Sequence, residues 1–102
     1  MNTYRTLALS NGQELKLTLN LKRLLLLKSN HTNLYKEANK IITKGPEDIF
    51  DMVKLVYTAY LCGLESGVPE IEENAFLDLV SNELGIADIT EIVNDLIQPK
   101  KK

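Results

Sequence analysis

Residues Leu7 to Leu17 read LALSNGQELKL, an Asn-Gly step between two apolar alternations, and the register of the β-hairpin it implies decides how the chain folds. If Asn11 and Gly12 are the two central residues of a type I′ turn, Leu9 lies opposite Glu14 and Leu7 opposite Lys16, so each pair mixes leucine with charge. A three-residue loop of Ser10, Asn11 and Gly12 instead pairs Leu9 with Gln13, Leu7 with Leu15 and Arg5 with Leu17, and it gives Gly12 the left-handed conformation of a G1 bulge. This second register gathers Leu7, Leu9, Leu15, Leu17, Leu19 and Leu21 on one face and turns Thr6, Ala8, Glu14, Lys16 and Thr18 to the other. A lone two-stranded hairpin is marginal in water, so its leucine face must be covered by the rest of the chain or by another molecule.

The cover reads as helical. Asn20 can cap a short helix over LKRLLLLKS, whose leucines span more than half the circumference and predict burial on several sides. Thr32 or Asn33 can cap a second helix with Leu34, Ala38, Ile41 and Ile42 as its buried stripe, and Gly45 ends it. Pro46 suits the first position of a third helix running to Leu64, with Glu47 and Asp48 in its first turn. Its polar positions reduce to Asp51, Lys54, Thr58 and Gly63, so Ile49, Phe50, Met52, Val53, Val56, Tyr57, Tyr60 and Leu61 are expected to face the hairpin and other helices. This is the predicted central helix.

After a turn at Ser66 to Pro69, a fourth helix is expected from Pro69, with Glu70, Glu72 and Glu73 at its positive end and Phe76, Leu79, Val80 and Leu84 buried. Gly85 stops it. Asp88 and Glu91 then have capping-box spacing for a last helix carrying Ile89, Ile92, Val93, Leu96 and Ile97. That helix either completes the core or offers part of its face to a partner. The expected fold is therefore α+β, an N-terminal antiparallel hairpin (residues 3–21) packed on a bundle of four to five helices (about 21–98). At 102 residues it forms one globular domain, 1–98, with a flexible basic tail at 99–102.

Charge is divided along the chain. Residues 1–45 carry eight Lys or Arg against Glu14 and Glu37, a net +6, whereas residues 46–98 carry Lys54 alone against twelve acids, a net −11. Three lysines close the chain. Either the halves fold against each other and neutralise, or the basic part of one copy meets the acidic part of the next in a head-to-tail contact. The basic half scatters its lysines over several elements, with only Tyr4 or Tyr35 able to stack on a base, and the acidic half would repel phosphate, so no nucleic-acid partner is expected.

Chemistry is scarce. The single cysteine, Cys62, sits in an apolar helical stretch, and the single histidine, His31, lies in a polar loop and is expected to be solvated. The Glu70, Glu72 and Glu73 cluster is explained by a helical first turn, Asp48 and Asp51 lack further oxygen ligands, and no glycine-rich phosphate loop is present. No catalytic, cofactor-binding or metal-binding residues are predicted, nor any small-molecule substrate. No run is long and apolar enough for a membrane span, and the N-terminus lacks signal-peptide features, so a cytoplasmic protein with no membrane partner is expected. The faces wider than one core contact uses supply the candidate protein-binding residues: Leu25, Leu26, Tyr57, Ile92 and Leu96.

Three segments, YRTLALSNGQELKLTLNLKRLLLLKS (4–29), EDIFDMVKLVYTAYLCGLESG (47–67) and ENAFLDLVSNELG (73–85), together with the terminal lysines, resemble the tail assembly chaperones of long-tailed phages and prophages of Gram-positive bacteria. The resemblance implies a non-enzymatic protein that binds the long tape measure protein, keeps its apolar helices soluble, and helps tail tube subunits polymerise around it. It further implies absence from the finished virion. The alternative from charge alone is a small acidic phage or mobile-element protein that inhibits a host DNA-binding protein.

Genes of such chaperones commonly yield a longer minor product by ribosomal frameshifting, and Lys100, Lys101 and Lys102 could be encoded by the A-rich run on which ribosomes slip. Sequencing the codons for residues 98–102 is expected to show that run with an open frame overlapping it. Interspersed AAG codons without an overlapping frame would remove this part of the resemblance.

Overall fold

The computed structural model describes residues 5–8, 12, 14–64 and 69–97. The predicted Leu9–Gln13 pair, most of the hairpin loop, the turn at 66–68 and the basic tail lie outside the described residues. Strand β1 (Arg5–Ala8) runs antiparallel to β2 (Glu14–Leu17), with Arg5 opposite Leu17, Thr6 opposite Lys16, Leu7 opposite Leu15 and Ala8 opposite Glu14. This is the register of the three-residue loop, and Gly12 takes the positive φ it needs, +94°. Leu7, Leu15 and Leu17 are buried, and Leu19 packs partly buried against them.

Five helices follow: α1 (Leu21–Asn30), α2 (Thr32–Lys44), α3 (Ile49–Gly63), α4 (Glu73–Glu83) and α5 (Ile86–Ile97). The fold is α+β, and α3 is its centre, packing on β2, α5, α2, α1 and α4. Strand β2 lies directly on α3. The seat consists of two small residues one turn apart, the fully buried Ala59 and Gly63. A Cβ on Gly63 would overlap the Lys16 carbonyl oxygen and stand 2.8 Å from the Lys16 carbonyl carbon. Glycine inside a helix costs roughly 0.5–1 kcal/mol relative to alanine, but here no side chain fits.

Just beyond β2 the chain bends into the core. Thr18, expected on the outer face, is instead fully buried, because past the last ladder pair it is no longer bound to the pleat alternation. Its N–H donates to the Ala59 carbonyl at 3.2 Å, and its hydroxyl accepts the Asn20 N–H at 3.2 Å, so neither polar group is stranded. Asn20 then caps α1 as predicted, accepting the Arg23 N–H at 3.2 Å.

The other helix starts differ from the sequence expectation, each for a visible reason. One residue, His31, separates α1 from α2, and Thr32 ties back by donating its hydroxyl to the Lys28 carbonyl at 2.9 Å instead of capping. Helix α3 begins at Ile49 rather than Pro46. Asp48 is its cap, accepting the Asp51 N–H at 3.1 Å, and Asp51 in turn accepts the Glu47 N–H at 2.9 Å. Helix α4 begins at Glu73 rather than Pro69. The Ile71 carbonyl, which a helix from Pro69 would use internally, accepts the Tyr57 hydroxyl at 2.8 Å, and the Ile71 N–H donates to the Tyr60 hydroxyl at 3.0 Å. Helix α5 begins at Ile86, two residues before the expected cap, because Asp88 acts from inside the first turn, accepting the Gly85 N–H at 3.1 Å.

Tyr57, Tyr60 and Phe76 form one aromatic cluster, with Phe76 5.1 Å and 5.2 Å from the two tyrosine ring centroids. Ile89, Ile92 and Val93 of α5 are buried, so that helix completes the core. Two expectations fail at the surface. Phe50 is 72% exposed, and among the described side chains of α1 only Leu27 is fully buried and Leu24 half-buried, while Leu25 and Leu26 are exposed.

Gly63→Ala is expected to destabilise the fold by about 1–3 kcal/mol, the usual range for forcing atoms into a packed site. Gly85→Ala is the control, since a Cβ there meets only Asp88 Oδ2 at 3.9 Å. Urea denaturation separates them; equal midpoints for the two variants would show that the strand does not sit this close to α3.

Candidate protein-binding surface

Helix α1 is anchored from beneath. Leu27 is buried, Leu24 packs partly buried against the core, and the Arg23 Nη1 donates to the carbonyls of Cys62 at 3.1 Å and Leu64 at 3.4 Å. Those carbonyls belong to the C-terminal end of α3, where a cation also meets the negative end of the helix dipole. With Arg23, Leu24 and Leu27 turned inward, the spacing of an α-helix leaves Lys22, Leu25, Leu26 and Ser29 on the outer face. Leu25 is 52% and Leu26 57% exposed.

Their surroundings are basic. Lys22 and Lys28 are exposed on α1, and Lys36, Lys40 and Lys44 recur every fourth residue along the exposed side of α2. Lys28 Nζ lies 5.7 Å from the Tyr35 ring centroid. No acidic residue occurs between Leu21 and Lys36.

The five sequence-predicted contact residues do not share one exposed surface. Leu25 and Leu26 are side by side and open. Tyr57 belongs to the aromatic cluster, Ile92 is 2% exposed, and Leu96 packs partly buried against the core. Sequence reasoning missed two exposed apolar residues, Phe50 and Ile86, the latter 69% exposed. Both stand in the first turn of a helix, α3 and α5, two helices that pack together with Thr90 Oγ1 3.5 Å from Met52 Sδ.

Among the described residues, the two charge halves meet at His31 and at Lys54. His31, expected to be solvated, has its Nε2 3.1 Å from Glu70 Oε2. Lys54 Nζ reaches Glu37 Oε1 at 2.8 Å and Glu73 Oε2 at 3.4 Å, tying α2, α3 and α4. The hydrogen bond to Glu37 raises the Lys54 pKa against partial desolvation. Partly exposed pairs of this kind contribute little individually, and most of the charge in each half faces water.

Comparison with protein-family models, curated proteins and solved structures finds no match. Function is therefore read from this chain's own surface. Among the described residues no group of three or more His, Cys, Asp or Glu is placed to hold a metal ion, and no helix is long and apolar enough to cross a membrane. Cys62 is buried, and burial pushes its thiol up to about 12 despite the opposing Arg23 charge. Burial likewise pushes the Tyr57 phenol up to about 12, with Glu70 and Glu73 adding to the shift.

Both groups hold their protons more tightly folded than unfolded, so their linkage destabilises the fold as pH rises. Stability is expected to fall above the ordinary thiol value of 9.0, with Tyr57 joining above 10.0, and to be independent of these groups below that window. Cys62→Ala should remove the first part of the loss in denaturation curves taken at stepped pH. An unchanged profile would show that the thiol is not buried as described.

Proposed function

We propose that this protein is a non-enzymatic tail assembly chaperone of a Gram-positive siphophage or prophage, binding the tape measure protein and promoting tail tube assembly around it. The observation that carries the reading is the pair of open leucines on α1, at 52% and 57% exposure, above a core that is already closed beneath them. Large exposed leucines on a short, well-anchored helix are a surface for another apolar helix. The resemblance of segments 4–29, 47–67 and 73–85 to such chaperones supplies the identity of the partner.

Magnitudes set the character of the contact. Full burial of a leucine is worth about 1.5–3 kcal/mol, and these two are already about half covered, so together they gain on the order of 2 kcal/mol. One copy binds a partner helix weakly. A long helical partner with a recurrent apolar stripe offers many such sites, and several copies can then coat it while each exchanges readily. Weak, multiple and reversible binding suits a protein that must leave before the tube closes. The lysines of α1 and α2 favour partner segments in which acidic residues flank the apolar stripe.

A tape measure fragment with an exposed apolar stripe, produced together with this chain, is expected to stay soluble and to precipitate without it. Leu25→Asp combined with Leu26→Asp should abolish the protection while far-UV circular dichroism stays unchanged, because both residues are exposed. A fragment kept equally soluble by the double variant would overturn the α1 surface, and a fragment indifferent to the chain would overturn the function.

A further inference from the structure

A four-residue connection, Gly45 to Asp48, turns the chain from α2 back along α3, and Lys54 Nζ joins the two helices by donating to Glu37 Oε1 at 2.8 Å. The pair is therefore antiparallel, with residue 54 level with residue 37. One turn toward the start of α3 from Lys54 is Phe50, and one turn toward the end of α2 from Glu37 is Lys40, with Lys44 a turn further. Phe50, 72% exposed, thus comes abreast of Lys40 and Lys44 across the groove between the helices. Tyr35, which meets Lys28 of α1, lies roughly 200° around α2 from Glu37, so this groove and the leucines of α1 are on different sides of α2.

Lys36, Lys40 and Lys44 form a line of positive charge about 12 Å long on the exposed side of α2. Among the described residues none of the three takes part in an ion pair, and Glu37, the one acidic residue of α2, is held by Lys54. Beside Phe50, the carboxylates of Asp48 and Asp51 accept the N–H groups of Asp51 and Glu47 at the start of α3, and Glu47 is exposed. A phosphate backbone laid across Phe50 would meet those three acids. A helix with a carboxylate at every fourth residue fits better, because its charges repeat at the same spacing of about 6 Å as the lysines.

We infer that the α2 lysines and Phe50 dock an acidic helix of another protein, its carboxylates in line with Lys36, Lys40 and Lys44 and one large apolar side chain against Phe50. The surface is distinct from Leu25 and Leu26 and requires no particular identity for the partner. It therefore stands or falls apart from the tail chaperone reading.

The probe is a fluorescein-labelled synthetic helix with glutamate at every fourth position, one leucine beside that line, and alanine and glutamine elsewhere, so that it lacks the apolar stripe the α1 leucines need. Fluorescence anisotropy at low salt is expected to show saturable binding on the order of 100 μM, weakening as salt is added. Lys40→Gln with Lys44→Gln, and separately Phe50→Ala, should each weaken it on the order of tenfold with the circular dichroism spectrum unchanged, since all three sites are exposed. Leu25→Asp with Leu26→Asp should leave it unchanged. No saturable binding, equal binding of a probe carrying lysine in place of glutamate, tighter binding of a single-stranded oligonucleotide, or variants at Lys40, Lys44 and Phe50 that bind as the parent does would each overturn the inference. So would a fall in the mass of the unliganded chain on the lysine substitutions, which would make a second copy the occupant.

Discussion

Where β2 crosses α3, the Lys16 carbonyl lies over the Cα of Gly63 with no room for a side chain between them, and one turn earlier the Ala59 carbonyl accepts the Thr18 N–H. This close approach of strand to helix is the constraint from which the rest of the arrangement follows. It presses Leu7, Leu15 and Leu17 into a single core with α3 and lets the chain bend inward at Thr18. Asn20 and α1 are thereby delivered to the C-terminal end of α3, where Arg23 hydrogen-bonds the last carbonyls. The hairpin is thus satisfied within the molecule. Among the described residues the large apolar side chains left uncovered are Leu25 and Leu26 on the outer side of α1, Phe50 of α3 and Ile86 of α5.

Features encoded locally were legible in the sequence. The hairpin register follows from keeping leucine opposite leucine, Gly12 from the turn that register needs, and the first helix cap from Asn20. The centrality of α3 follows from its nearly continuous apolar circumference. Features set by distant partners were not legible. Pro46 and Pro69 are good first residues for helices, yet Asp48 with Asp51 moves one start downstream, and the hydroxyls of Tyr57 and Tyr60 move the other by holding Ile71. His31 meets Glu70, 39 residues away, a pairing that no local pattern announces.

The candidate surface divides in the same way. Leu25 and Leu26, named from a leucine run wider than one buried face, are exposed. The same reasoning fails for Tyr57 and Ile92, because width alone does not say how many neighbours surround a helix, and α3 and α5 lie deep enough to use every apolar side chain at those positions. Phe50 and Ile86 escaped notice because each stands in a first turn, where a residue that looks central in the pattern can project past the end of the packed layer. Charge was legible as a sum but not as a contact. Among the described residues the halves of +6 and −11 touch at His31 with Glu70 and at Lys54 with Glu37, and most of their charged side chains are exposed.

The central claim is that this molecule acts by covering an apolar helical partner rather than by making or breaking bonds. The most direct measurement is to tag the chain at its N-terminus in its native genetic context, purify it while phage tails are being assembled, and identify what accompanies it by mass spectrometry. The account predicts a very long, helix-rich tape measure protein bound by many copies of this chain, and no copy of this chain in the finished particle. Recovery of a host DNA-binding protein as the stoichiometric partner, with no tape measure protein present, would contradict the account.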